Sequence, residues 1–260
     1  MITEVFRVNG HPEFELTVRC NVTLHPSDRD EVYIEATGSE KLLEDLKISQ
    51  HGNLIVIRQE GSGGSCISIG GMTQINTGNS YGQQVISMNG ATYINSGGNV
   101  YVNGKLIETG SNSGEGYEPV QIEIYSPGVP SLDLNIQGSN QFNSTAPLSQ
   151  AKIDASGSCR ITLGRVEDLN VDVSGSTRIK VGYVAGLLDV DSSGSAQLQF
   201  NGEYDRVNLD VAGSGQIETT GTCRGNYKVD AAGSCYIRHT GEILGRVRKS
   251  TAGRCQVYVG

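Results

Sequence analysis

The sequence has few cations and no long apolar run. Its 260 residues include 20 Lys and Arg against 28 Asp and Glu, which gives a formal net charge of −8 at pH 7. Nucleic acids and anionic membranes are recognised through clustered cations, so this balance argues against either as the main partner. No apolar stretch approaches the roughly 20 residues that span a bilayer, and residues 1–10 lack the basic-then-apolar pattern of a secretory signal. We therefore expect a soluble chain whose location the sequence leaves open.

The chain is also poor in aromatic residues and rich in glycine. It has no Trp and four Phe, whereas glycine reaches 35 residues. Glycine combined with many Ser, Asn and Thr residues suits short strands joined by tight turns better than it suits helices. These features predict an all-β protein.

A Gly-Ser pair recurs every 18 to 20 residues between positions 138 and 234, and Gly253-Arg254 continues the series. Apolar and polar residues alternate on both sides of each glycine, as in Val171-Asp172-Val173 and Ile179-Lys180-Val181. Such alternation around a turn is typical of two short strands. A period of about 19 residues predicts coils that stack like a spring, and we interpret the chain as a right-handed β-solenoid, or parallel β-helix.

Alignment of the copies defines three columns of equivalent residues. The glycines are expected to form corners that need φ > 0: Gly138, Gly157, Gly175, Gly194, Gly213, Gly233 and Gly253. An apolar residue four positions later is expected to point into the core, in the column Ile161, Ile179, Leu198, Ile217, Ile237 and Val257. An aspartate three positions earlier is expected to point outward, in the column Asp154, Asp172, Asp191, Asp210 and Asp230. Seven regular coils from about Leu132 to Val259 would form a stack roughly 34 Å long at about 4.8 Å per coil.

The chain divides into three segments of one domain. Residues 1–60 contain strand patterns and form an irregular first coil, since Cys20 to Leu24 echoes Cys159 to Leu163. Residues 61–117 are rich in Gly, Asn and Ser, and they place Asn89-Gly90 and Asn103-Gly104 between β-prone runs. Because Asn-Gly is typical of type I′ turns, we predict an inserted β-hairpin arm here. Residues 118–260 hold the regular coils.

Several motifs resemble those of a known family. They are Gly38-Ser39-Glu40-Lys41-Leu42-Leu43, Gly52-Asn53-Leu54-Ile55-Val56-Ile57, the strand from Val120 to Pro127 and the Ser/Ala-Gly-Ser coils. Together they resemble the head GIN domain family, also called auto-transporter adhesins, over nearly everything except residues 61–117. The resemblance implies a β-solenoid with an adhesin role and a location in the periplasm or at the cell surface. A cytoplasmic location is the alternative, because the chain shows no signal and has six Cys.

No group of residues predicts a catalytic centre. Residues 78–82 match the Gly-x-Ser-x-Gly pattern of hydrolases around Ser80, but they lie in the Gly/Asn-rich insert instead of a strand-to-helix elbow. The four histidines show no metal-ligand spacing and are expected on the surface or in loops: His11, His25, His51 and His239. We expect a protein that is not an enzyme and needs no cofactor.

The outward aspartate column has two interpretations. Stacked carboxylates repel one another unless something neutralises them. Nearby cations, or hydrogen bonds to the corner N–H groups, could balance the charge; the candidate cations are Lys152, Arg160, Arg178 and Lys228. Alternatively the same five aspartates are a metal site, for which Ca²⁺ fits their oxygen ligands.

The cysteines also fall into register. Cys159, Cys235 and Cys255 each follow a corner glycine by two positions, in a slot that small residues share in other coils. Cys235 and Cys255 would be neighbours on adjacent coils. We expect a buried, reduced pair, with a disulfide as the alternative.

These observations favour a non-catalytic surface or scaffold protein that binds a protein or glycan through its solenoid faces and the arm. One alternative is a polysaccharide lyase or hydrolase, which fold analogy alone supports. Another is a cytoplasmic structural assembly factor. We also expect homo-oligomers, because Gln256 to Gly260 reads as an open coil that a second copy could cover with two-fold symmetry.

Overall fold

The structure, a computed structural model, describes residues 1–59 and 120–259 together with four strands between residues 84 and 108. The residues cluster into two compact units, Met1–Glu60 with Pro119–Gly260, and Gly61–Glu118. In the described residues the regular structure is almost entirely β, with one short helix, α1 (Glu40–Glu44). This confirms the all-β prediction.

The first unit contains twenty strands. Those of its first segment are β1 (Ile2–Arg7), β2 (Glu13–Val18), β3 (Asn21–Pro26), β4 (Glu31–Thr37), β5 (Leu46–His51) and β6 (Leu54–Gln59). The second unit holds β7 (Gln84–Met88), β8 (Ala91–Ser96), β9 (Asn99–Val102) and β10 (Lys105–Glu108). The first unit then continues with β11 (Gln121–Ser126), β12 (Ser131–Gly138), β13 (Gln141–Ser144), β14 (Leu148–Gly157), β15 (Arg160–Gly175), β16 (Arg178–Val184), β17 (Leu187–Gly194), β18 (Gln197–Tyr204), β19 (Arg206–Gly213), β20 (Gln216–Cys223), β21 (Tyr227–Gly233), β22 (Tyr236–Ile243), β23 (Val247–Gly253) and β24 (Gln256–Tyr258).

These strands stack into two long faces. In the first face the order is β5-β6-β2-β12-β14-β15-β17-β19-β21-β23, and all neighbours are parallel except β5 and β6. In the second face the order is β1-β4-β11-β3-β13-β15-β16-β18-β20-β22-β24. The long strand β15 contributes its start to the second face and its end to the first. About seven turns of roughly 19 residues result, which confirms the β-solenoid.

Glycine corners join the two faces. The seven first-face strands from β12 to β23 each end at a glycine whose φ lies between +87° and +115°. Close stacking gives a second reason for glycine, because a Cβ on Gly157 would lie 2.6 Å from the carbonyl oxygen of Gly138. The same oxygen accepts a hydrogen bond from the N–H of Ser158 at 2.7 Å. The corners therefore combine positive φ with backbone-to-backbone contact.

The core lies between the faces. Ile161, Ile179, Leu198, Ile217 and Ile237 follow one another along adjacent strands and are all fully buried. Val257 continues this column and is partly buried. At the other end Phe142 pairs with both Ile161 and Val22, so β3 extends the same column. The outward residues of each strand alternate with these buried ones.

The N-terminal strands add to the stack out of sequence order. Strand β2 pairs in parallel with β12, and β6 pairs in parallel with the other edge of β2. Strand β11 sits between β3 and β4, so the second face begins with an antiparallel pairing. The residues before the insert are thereby built into the same sheet as the coils after it.

The second unit is a four-stranded antiparallel sheet in the order β7-β8-β9-β10. Met88 pairs with Ala91, and Val102 pairs with Lys105. These pairs enclose the two predicted Asn-Gly turns, which themselves lie outside the described residues, as does Ser80.

Candidate functional site

Five aspartates form one outward row across the first face, the aspartate row. Neighbours on adjacent strands follow one another in the order Asp154, Asp172, Asp191, Asp210 and Asp230. Asn135 precedes the row and Ser250 follows it. Because parallel strands lie about 4.8 Å apart, the row brings like charges close together.

Among the described residues, direct charge pairing reaches only one end of this row. The Lys228 Nζ lies 2.5 Å from Asp230 Oδ2. Lys152, expected to balance Asp154, instead pairs with Asp133 at 3.8 Å. Side chains two residues apart on a strand share a face, but the adjacent coil offers Lys152 a competing carboxylate directly opposite.

The other predicted charge partners lie elsewhere. Arg160 and Arg178 begin second-face strands, and Arg178 donates hydrogen bonds to Gln197. The N–H groups that follow the corner glycines donate to backbone carbonyls, as Ser195 does to Gly175 at 2.8 Å. The predicted balancing of the row by these groups is therefore wrong.

One aspartate in the middle of the row has a raised pKa. Partial desolvation, followed by the charges of Asp172, Asp210 and Asp189, raises the pKa of Asp191. No three His, Cys, Asp or Glu side chains of the described ranges come together in a way that could hold a metal ion. The proposed metal ligands in the row therefore stand side by side without converging on a common point.

Cys235 and Cys255 form a disulfide, with their Cα atoms 4.6 Å apart. The expected reduced pair is therefore wrong, because stacking brings the two residues of one column within bonding reach. Cys20, Cys159 and Cys223 are free and buried. Burial raises the pKa of Cys20 to about 12, which keeps its thiol protonated and unreactive.

His239 is buried inside the solenoid, so its predicted surface or loop position is wrong. Its Nδ1 lies 2.9 Å from the Thr219 Oγ1, which in turn lies 2.7 Å from the Tyr227 hydroxyl. Burial lowers the pKa of His239 and raises the pKa of Tyr227. Both side chains are therefore held neutral within the core.

A stack of rings at the start of the second face was not predicted from the sequence. Tyr125 stacks on His25 at 4.9 Å and contacts Tyr33 at 5.9 Å between ring centroids. Arg29 lies over the Tyr33 ring, and the His25 Nε2 is 2.6 Å from Glu123 Oε2. The His25 and Tyr125 rings face each other, so the stack ties β3, β4 and β11 together. Strand pairing between distant segments made these residues neighbours.

Within the described ranges, no helix has the length and apolarity that crossing a bilayer requires.

Inward apolar columns, glycine corners and repeated outward rows define a β-solenoid, a class of repeat protein that presents long rigid faces. The chain belongs to the family described as putative auto-transporter adhesin, head GIN domain, whose model matches residues 14–185 and again residues 65–259. The resemblance noted in the sequence is thereby confirmed. No curated protein matches the chain.

Several solved structures resemble the chain along nearly its whole length. One, described as a putative lipid binding protein from Parabacteroides distasonis, is 16% identical, with 99% of this chain and 95% of that chain covered and a TM-score of 0.50. A putative adhesin from Parabacteroides merdae is 15% identical over 99% of this chain and 95% of its own, with a TM-score of 0.48. A putative adhesin from Bacteroides fragilis is 11% identical over 98% and 96%, with a TM-score of 0.48. At these identities the likeness concerns the fold alone.

Proposed function

We propose that the chain is a non-catalytic, adhesin-like module that binds a protein or glycan partner through its solenoid faces and the inserted arm. The observation that carries this proposal is the repetition of outward side chains in register, one per coil, on a continuous sheet. A rigid face with a repeated chemical pattern suits recognition of an extended partner. The family description supports the same role.

The polysaccharide-cleaving alternative gains no support from the first face. Glycosidases use a pair of carboxylates that flank one bond. In the described residues of the first face, the aspartate row places one carboxylate on each coil from β14 to β21, so no single pair stands apart from the others. We therefore keep binding without turnover as the proposal.

An exported location, in the periplasm or at the cell surface, is part of the proposal. The Cys235–Cys255 disulfide supports it, because disulfides persist in oxidising compartments and are rare in the cytosol. Fractionation of the native host, with mass spectrometry of the two cysteines in each fraction, tests this location. Recovery of the protein in the cytosol with both thiols reduced would support the assembly-factor alternative instead.

The binding role is tested with the purified full chain. Fluorescently labelled protein should bind saturably to cells or to immobilised glycans and proteins, while reducing-sugar assays on polysaccharides show no product. Polysaccharide turnover that disappears in Asp191→Asn, with Asp133→Asn as the control outside the row, would contradict the proposal. Failure to bind any cell, glycan or protein surface would also contradict it.

Self-association through a solenoid end stays a prediction, to which we add an expected dependence on salt. Leu244 and Tyr258, in the last described coil, are 62% and 56% exposed. The same coil carries Arg246, Arg248 and Arg254, so two-fold contact would bring like charges together. We expect any such dimer to strengthen with added salt, and light scattering across a salt series checks this.

A further inference from the structure

We propose that the last described coil docks the protein onto an anionic membrane surface. This inference goes beyond the proposed function, because it assigns a different ligand, an anionic membrane, to the edge of the first face. It begins from a charge separation that the overall net charge of −8 conceals. Residues 244–259 contain Arg246, Arg248, Lys249 and Arg254 and no Asp or Glu, a local charge of +4. The rest of the chain then has 20 − 4 = 16 cations against 28 acids, a net charge of −12.

The three arginines lie on and beside β23 at the edge of the first face. We call Arg246, Arg248 and Arg254 the arginine strip. Each is exposed, and none has an ion-pair partner in the described part of the chain. The aspartate row stops before the strip, because Ser250 takes the position that Asp230 holds one coil earlier. Asp230 itself is held by Lys228. The strip is therefore free to bind an external anion.

The exposure of these side chains follows from their outward direction. Arg248 pairs in register with Lys228, which is exposed although another coil stacks on its strand. Arg254 follows Gly253 as Ser234 follows Gly233, and Ser234 is exposed too. Outward columns of this fold stay accessible along the stack, so the exposure of the strip does not depend on its coil being the last one described.

An apolar side chain accompanies the strip. Leu244, in the turn between β22 and β23, is 62% exposed. Its N–H donates to the carbonyl of Cys223, just as that of Arg224 donates to Tyr204 one coil earlier. A turn position that holds an exposed arginine in one coil thus holds an exposed leucine in the next. Leu244 lies two residues before Arg246, the first arginine of the strip. An exposed leucine next to a cation suits the boundary between lipid headgroups and acyl chains.

This combination favours a membrane over a soluble polyanion or an acidic protein. Phosphate groups alone would satisfy the arginines, but they offer nothing to Leu244. Protein interfaces of standard size bury about 800 Å² on each partner and involve about 20–30 residues a side, far more than the strip and Leu244 provide. A narrow cationic strip with one protruding leucine fits shallow, electrostatic attachment to phospholipid headgroups.

The test measures partition of the full chain onto vesicles. Phosphatidylcholine vesicles with about 30% phosphatidylglycerol provide the anionic surface, and pure phosphatidylcholine vesicles provide the neutral one. We expect binding to the anionic vesicles at low salt, weak binding to neutral vesicles, and loss of binding in about 0.5 M NaCl. Each Arg→Gln change in the strip should weaken binding by about fivefold, and the triple change by about 100-fold.

Two control variants are needed. One distinguishes the contribution of the strip from that of overall charge, and the other distinguishes binding to lipid from binding to a soluble polyanion. The triple variant Arg160→Gln, Arg178→Gln, Lys180→Gln removes the same charge from the second face and should bind anionic vesicles nearly as well as the unmodified chain. Leu244→Ser should weaken vesicle binding while leaving retention on a soluble polyanion, heparin, unchanged. Circular dichroism and thermal unfolding establish that every variant is folded.

Four results would overturn the inference. They are equal binding to neutral and anionic vesicles, no binding to anionic vesicles at low salt, equal losses in the two triple variants, and an unchanged vesicle affinity in Leu244→Ser. The last result together with strip-dependent heparin binding would assign the strip to a soluble polyanion. None of them bears on binding of a protein or glycan through the aspartate row, so the proposed function would stand or fall separately.

Discussion

Glycine corners offer a direct measure of how closely the coils stack. Gly194 has φ +109°, and a Cβ added there would lie 2.6 Å from the carbonyl oxygen of Gly175. Gly10 has nearly the same φ, +103°, but its added Cβ would meet nothing nearer than the Asn53 Nδ2 at 3.9 Å. Substitution with alanine therefore imposes backbone strain at both positions and a stacking clash only at Gly194.

The two costs can be separated. A non-glycine residue at such a φ costs about 1–3 kcal/mol, which both variants should lose. At Gly194 the clash adds about 1–3 kcal/mol, the usual cost of overpacking. The Gly175 oxygen cannot easily move away, because it accepts a hydrogen bond from the Ser195 N–H at 2.8 Å. We thus expect Gly194→Ala to lose roughly twice the stability that Gly10→Ala loses.

Urea unfolding, monitored by far-UV circular dichroism, measures both losses. The m-values of the two variants should equal that of the unmodified chain, which shows that the losses can be compared as two-state free energies. Equal losses in Gly194→Ala and Gly10→Ala would refute the reasoning, because positive φ would then explain the corner glycines by itself. A loss below about 1 kcal/mol at Gly194 would show that neighbouring coils shift apart freely.

Three further predictions concern the core, the aspartate row and the buried histidine. Ile217→Asp should cost about 3–5 kcal/mol in urea unfolding, since it leaves an uncompensated charge in the core, whereas the exposed Gln197→Asp, beside Arg178, should be nearly neutral. Asp191→Asn should raise stability at pH 7 by about 0.5 kcal/mol, because it removes like-charge repulsion between strands. The raised pKa of Asp191 means that stability falls as pH rises through that pKa, so the gain should vanish near pH 3, below the ordinary aspartate pKa of 3.8. The lowered pKa of His239 means that the unfolded chain binds its proton first as pH falls below 6.5, so stability should decline there. His239→Phe should remove that decline in urea midpoints measured between pH 7.5 and pH 5, and a decline that persists would point to other groups.

Much of the regular array followed from local pattern. The interval between glycines fixed the coil length, and two-residue alternation fixed which side chains point inward, because the side chains of a strand alternate between its faces. Ile161 and Ile217 are accordingly buried in one column, and Asp172 and Asp191 stand outside in another. Partners of outward residues were harder to infer. Lys152 pairs with Asp133 on the neighbouring coil, not with the aspartate two positions along its own strand.

The sequence by itself determined the period, the inward columns and the corners, since each depends on residues a few positions apart. Tertiary structure decided everything that depends on pairing between distant segments. It placed β11 between β3 and β4, and so brought Tyr125 against His25, about a hundred residues earlier in the chain. It also set Cys255 on Cys235 closely enough to bond. Strand register is a collective property of the whole sheet, because each strand must bury its own apolar side chains and also match its neighbours' backbone hydrogen bonds.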